Sequence, residues 1–546
     1  MKRLTLILIL ILPLSTFSQH QQHQHSTKDK SAMVFSGLSD LHHPVSTKNP
    51  EAQKFFNQGF ALLYGFNHDE AARSFKHAAE LDPNLAMAYW GIALVNGANY
   101  NLGPLPEREK LAYEAVQKAL NLISKASENE RDYINALAKR YSPDPKADYQ
   151  KLGLDYKNAM AELMKKYPDD LDAATLYAES LMNLRPWKLY TKDGKPEEGT
   201  EEIVAVLESV LKRNPNHIGA NHYYIHAVEA SRTPERGLAS AFRLKTLAPD
   251  AGHLVHMPAH IYQRIGDYEN SAAANAQGAD ADRAYIKARG AEGIYPLMYY
   301  NHNVHFFAIA SAFQGRYADA TKAAGELVAF ASPLVKEMAM LDAFTPTALF
   351  VAVRFQKWDE ILRYPEPDKS VMPYTNAIWH FAQGRAQLAK GNTAKAESEL
   401  MTIQQIINGL PDGASLGLNN TKDVLRVAEN YLAGKIALAK KDKTAAYAFF
   451  RKGIEAEDGL NYNEPADWYI PVREALGSAM FASGEYADAE KVFRADLEKN
   501  PRSGRSLFGL MESLKAQGKT TAAQFVQKEF EMAWKQADIK LTIDTL

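Results

Sequence analysis

Residues 55–83, FFNQGFALLYGFNHDEAARSFKHAAELDP, carry the pattern of a hairpin of two helices. Gly59 and Ala71 are small, which lets two antiparallel helices approach closely, and Phe75 supplies an aromatic ring for the space between neighbouring hairpins. Ala78 and Pro83 complete the unit. The C-terminal part repeats it, with Gly477, Gly484, Ala489, Phe493 and Pro501 at matching places. Gly434, Ala446 and Phe450 mark another unit, and Gly384, Gly391, Ala396 and Leu400 another. Pro215 and Pro249 stand 34 residues apart, each at the end of a unit.

A period of 34 with these residues resembles the tetratricopeptide repeat. Phe55, Gly59, Ala71, Phe75, Ala78 and Pro83 occupy its positions 4, 8, 20, 24, 27 and 32. The resemblance covers most of residues 51–535, most clearly at the two ends. It implies an all-α superhelical solenoid of helix-turn-helix hairpins whose first helices line a concave, ligand-binding face. Periodicity agrees: alanine-rich segments of period 3.6 alternate with short turns, and no alternating strand run stands out.

A chain of 546 residues exceeds one compact core, so an array is expected. The net charge of −2, without a basic run or a Gly-rich phosphate loop, argues against nucleic acid. Lys2 and Arg3 precede an apolar stretch from Leu4 to Leu14 and the small-residue end Ser15-Thr16-Phe17-Ser18, which reads as a signal peptide over 1–18. The run is too short to span a bilayer, where about 20 residues are needed. A secreted or periplasmic protein is expected, with no membrane span. The absence of cysteine excludes a lipid anchor on cysteine, disulfides and thiolate ligands. Residues 19–48 read as a flexible His/Gln-rich leader in which His20, His23 and His25 offer at most weak metal capture. Next come N-terminal repeats over 49–140 and a central array over 141–362. A Pro-rich break at 363–373 then leads to a C-terminal array over 374–546. Two stretches, 96–106 and 185–199, are too long for repeat turns and read as rim loops over the groove.

Eight of the sixteen histidines fall between His217 and His305, and seven of these repeat in phase. His222 and His226 form one HxxxH pair and His256 and His260 another, 34 residues on. In the repeat frame His222, His256 and His305 share position 5, His226 and His260 position 9, and His253 and His302 position 2. These positions face the concave groove in the tetratricopeptide family; Gly219 and Ile309 fill the two remaining slots. Residues i and i+4 lie about 5–6 Å apart on a helix face, so each pair can close on one ion. Neighbouring helices about 8–10 Å apart can be bridged by imidazoles from both sides. Six or more histidines could hold one ion or two. Imidazole with one carboxylate suits a divalent transition metal such as Cu, Zn or Fe, and not Ca or Mg.

His222, His226, His256 and His260 are therefore the primary expected ligands, with His253, His302 and His305 behind them. Glu229, one turn past His226, is expected as a further ligand or a base, and Arg264 as a receptor for an anionic substrate group. Pro258 places His260 near a helix start, where the macrodipole favours neutral imidazole. Asn275 is either a polar contact toward the groove or a packing defect. Residue 257, where a zinc protease would carry its glutamate, is methionine. The segments HYYIHAVE (222–229), HLVHMPAHIYQR (253–264) and YYNHNVHFF (299–307) resemble those of a group of secreted bacterial tetratricopeptide proteins. Two functions stay open: a metal centre supporting hydrolysis or oxidation of a small-molecule substrate, or a non-enzymatic scaffold holding a protein or peptide partner.

Overall fold

The opening hairpin forms as its residues dictate. Helix α1 (Pro50–Tyr64) is capped by Asn49, whose side chain accepts the Glu51 and Ala52 N–H groups, and α2 (His68–Leu81) is capped by Asn67. The Phe75 ring lies where any side chain on Gly59 or Gly91 would stand, since a Cβ there would come within 2.9 and 2.5 Å of it. Phe75 thus packs between one hairpin and the helix Ala86–Asn96 that opens the next. Phe493 sits in the same way between Gly477 and Gly509.

The computed structural model describes residues 32–546. The expected signal peptide and the first part of the leader, with His20, His23 and His25, lie outside the described residues. Helical hairpins follow one another from Pro50 to Ala533, and the fold is an all-α solenoid of tetratricopeptide type. Among the described residues one two-residue ribbon, Ser415–Leu416 paired with Asn419–Asn420, interrupts the helices. No helix there is long and apolar enough to cross a membrane.

Two features depart from the sequence reading. The leader is tied down well before residue 48: Gln58 holds the backbone of Met33 and Phe35, and His43 Nδ1 lies 2.8 Å from Asp172 Oδ2. Buried partners override the polar composition there. The Pro-rich break also fails to separate two bodies, because residues 32–546 cluster as one unit. Arg354 reaches Glu474 at 3.4 Å, and Gly266 abuts the backbone of Pro501.

The helices that carry the site are α3 (Ile218–Val228), α4 (Gly252–His256), α5 (Pro258–Arg264), α6 (Tyr268–Arg289) and α7 (Asn301–Phe313). Helix α3 packs against the end of α1, and Gly219 makes that approach possible. A Cβ on Gly219 would lie 2.4 Å from the Tyr64 ring, which explains why this slot is not a histidine. Gly219→Ala should lower stability by about 1–3 kcal/mol through overpacking, read as a lower urea midpoint at unchanged m-value. An unchanged midpoint would refute this contact.

Candidate metal centre

The in-phase histidines separate into two triads, and the repeat frame explains the division. His222, His226 and His253 converge in one, and His256, His260 and His302 in the other. Each triad takes positions 5 and 9 of one repeat and position 2 of the next. The rule fails at the third repeat, where His305 is followed at position 9 by Ile309.

Within the triads the Nε2 atoms point at one another. His222 Nε2 lies 3.1 Å from His253 Nε2; His256 Nε2 lies 2.8 Å from His260 Nε2 and 3.1 Å from His302 Nε2. The outward Nδ1 atoms decide which nitrogen carries the proton. His222 Nδ1 is 2.6 Å from the carbonyl of Tyr64, a free acceptor at the C-terminal end of α1. His226 Nδ1 is 2.8 Å from Glu229 Oε1. His256 Nδ1 is 2.6 Å from Asn275 Oδ1, whose own amide NH2 donates to the Ser271 carbonyl and so fixes its orientation. His260 Nδ1 lies 2.5 Å from Glu229 Oε2 and 3.2 Å from Glu464 Oε2, off the line of a good hydrogen bond but flanked by two carboxylates. For His222, His226 and His256 the neighbour accepts, so Nδ1 bears the hydrogen and Nε2 presents a lone pair inward.

Water is largely excluded. His222 and His256 are 0% exposed, His260 1%, and His226 and His253 2%; only His302 is part-exposed. Phe66 lies over the first triad, stacked on His253 at 5.4 Å and edge-on to His222 at 4.6 Å. Its φ of +55° is strained for a side-chain-bearing residue and aims the ring into the chamber. Phe306 flanks the second triad, 5.5 Å from His256 and 5.4 Å from His260.

Both long loops fold over the first triad, as the rim-loop reading expects. Tyr100 from one and Trp187 from the other contact His226 at 5.2 and 5.5 Å and stack on each other. The indole N–H of Trp187 donates to Asn101 Oδ1 at 3.1 Å, and Tyr190 O–H to the Ala227 carbonyl at 2.8 Å. Trp187 has a φ of +60° and is part-exposed, so it is the thin point of the roof. Trp187→Ala should speed removal of a bound ion by a chelator several-fold while leaving its stoichiometry intact; equal rates would mean that ions enter elsewhere.

Burial sets the electrostatics. It lowers the basicity of His222, His253, His256 and His302, and the neighbouring imidazoles lower it further. His260 departs from the sequence expectation. Burial alone would lower it, but Glu229 and Glu464 together raise it above the ordinary imidazole range. Two facing carboxylates outweigh the helix dipole. Glu229 moves the other way: burial would raise it, and His260 and His226 hold it below the ordinary carboxylate range.

No family model and no curated protein matches the chain. Solved structures similar to it include the human IFIT1 dimer with m7Gppp-AAAA, at 16% identity over 90% of this chain and 91% of that one, with a TM-score of 0.33. The APC/C hetero-tetramer Cut9-Hcn1 is 13% identical over 90% and 79% of the two chains, with a TM-score of 0.30. Yeast Tom70 is 10% identical over 88% and 90%, with a TM-score of 0.28.

The remaining expected site residues find definite places. Glu229 touches the Nδ1 sides of His226 and His260 and so links the triads from outside. Arg264 donates to the carbonyls of Glu229 and Ser231 at 2.9 and 3.2 Å and lies over the Tyr462 ring, so its guanidinium faces backbone. Asn275 is the polar contact to His256. His305 is buried apart from both triads, against Phe344 and Tyr469. Sequence reasoning missed Glu464, Tyr64 and Phe66. Glu464 comes from a loop of the C-terminal array, 204 positions beyond His260, and no spacing rule points to it.

His68 and His305, outside the triads, make a separate test. Burial pushes each down to about 3, helped for His68 by Arg108. Both stay neutral in the folded chain over a range where an unfolded histidine, titrating near 6.5, is protonated. The unfolded state then binds more protons, so stability rises with pH in this window. The contribution is complete above 6.5 and falls by about 1.4 kcal/mol per pH unit for each histidine as pH drops toward 3. Urea titrations across that window should show a shallower loss in the His68→Gln/His305→Gln variant; parallel curves would contradict these environments.

Proposed function

We propose that the chain binds a transition metal in the buried histidine chamber and that the bound ion supports hydrolytic or oxidative chemistry on a small molecule. One observation carries the reading. The Nε2 atoms of His256 and His260 face each other at 2.8 Å, an approach that calls for a hydrogen or a metal ion between them. The buried His226 Nε2 has no hydrogen-bond partner at all, an arrangement that costs about 1–3 kcal/mol unless something binds there. Converging Nε2 atoms, backed at Nδ1 of His222, His226 and His256 by hydrogen-bond acceptors, are what an imidazole-ligated ion requires.

A proton between His256 and His260 is the competing occupant. Return of an ion to chelator-stripped protein separates the two. Cu or Zn at a thousandfold excess over its Kd should raise stability by about 4 kcal/mol, with release of protons. No rise with any ion would leave the proton as occupant. The scaffold reading finds no groove at these histidines, which are closed over by aromatic rings, so a peptide would dock elsewhere on the array. The signal-like start at residues 1–18 supports placing the protein outside the cytoplasm.

A further inference from the structure

Resting on that metal-binding reading, we infer that the two triads form one dinuclear copper centre, each ion held by three imidazoles, with dioxygen as the ligand that would bridge them. Three features point to two ions instead of one. The triads share no histidine, and each repeats the same construction one repeat further along. Their walls touch, with the His226 and His260 rings 5.5 Å apart and the His253 and His256 rings 5.7 Å apart. Glu229 joins them, one oxygen toward Nδ1 of His226 and the other toward Nδ1 of His260. An ion in one triad strengthens the Nδ1–H of its histidine as a donor to Glu229, and this fixes the carboxylate that orients the other triad.

Charge and donor type select the ion. Each triad offers imidazole alone, a set that suits copper or zinc; non-haem iron commonly takes a carboxylate as well. Glu229 and Glu464 are the carboxylates that touch these imidazoles among the described residues. Two cuprous ions bring two positive charges to this buried site, whereas two zinc ions would bring four. Uncompensated buried charge is costly.

The ligand follows from the same count. Each cuprous ion gives one electron, dioxygen takes both, and one of its two O–O bonds is lost. The products are two cupric ions and a peroxide dianion between them. The two positive charges added on oxidation are matched by the peroxide dianion, so the net charge of the chamber does not change. No proton needs to enter for this step.

The test uses the chain purified without an affinity His-tag and loaded with cuprous ion under nitrogen. Two copper ions per chain are expected. On admission of air the protein should take up one dioxygen per two coppers, and the cupric signal in electron paramagnetic resonance should stay far below the copper present, because paired spins cancel. His302→Ala, at the least buried ligand, should fall to one copper per chain with a signal that accounts for all of it. One copper in the wild type, or two with full signal intensity, would overturn the pairing and leave metal binding standing. Two zinc ions retained in preference to cuprous ion would overturn the copper assignment. No ion of either kind would overturn this inference, and a chain that refuses iron as well would overturn the reading beneath it.

Discussion

His222→Ala combined with His256→Ala should reduce bound transition metal to below about a tenth of the wild-type content, because each triad loses one of only three ligands. Each substitution removes the position 5 imidazole, whose Nδ1 anchor lies outside the other triad's reach, on Tyr64 in one case and Asn275 in the other. No neighbouring side chain stands ready to replace it. His305→Ala is the matched control. His305 is buried against Phe344 and Tyr469 but belongs to neither triad, so its loss should leave metal content unchanged. Elemental analysis of the three proteins, with far-UV circular dichroism to confirm folding, checks both statements. Metal retained in the double variant, or lost equally in the control, would mean that the triads are not the site.

Glu229→Ala should be the most destabilising single change in the site, at about 3–5 kcal/mol, the range for removing one partner of a buried ion pair. Glu229 is 1% exposed and serves His226 and His260 together. Its removal leaves two buried N–H groups short of an acceptor and His260 dependent on Glu464 alone. Glu229→Gln keeps the volume and one acceptor oxygen, so it should recover part of the loss. The comparison is read from urea midpoints of metal-free protein. Equal stability of all three proteins would show that Glu229 is not the shared anchor of the chamber.

The fold was largely legible because small and aromatic residues at fixed spacing report close approach directly. Phe75 meets Gly59 and Gly91 as the pattern requires. The histidine positions were legible for a similar reason: a 34-residue repeat puts equal positions on equal faces, and the triads are positions 5, 9 and the following 2. Their division into two sets of three was less so. Helix α6 and the π-helical turn Tyr295–Tyr300 lengthen the path from His260 to His302, which breaks the plain period. His305 was drawn into the set by phase alone, although Ile309 leaves it without the i+4 partner that closes a site.

What escaped the sequence was contributed across the fold. The Tyr64 carbonyl is a helix-end backbone group and carries no side-chain signal. Phe66 acts through a left-handed backbone that nothing in its residue type announces. Glu464 reaches His260 only because the C-terminal array packs back onto the central repeats. The helix start favours a neutral His260 locally, and those two carboxylates override it. Local rules located the histidines, and tertiary packing set their charge.

The central claim, that this chamber is a metal site, is tested most directly by elemental mass spectrometry on the untagged wild-type protein, as purified and after reconstitution with Cu, Zn and Fe in turn. The structure predicts near-stoichiometric retention of at least one of these ions through gel filtration. A chain that stays metal-free after exposure to every one of them would contradict the account.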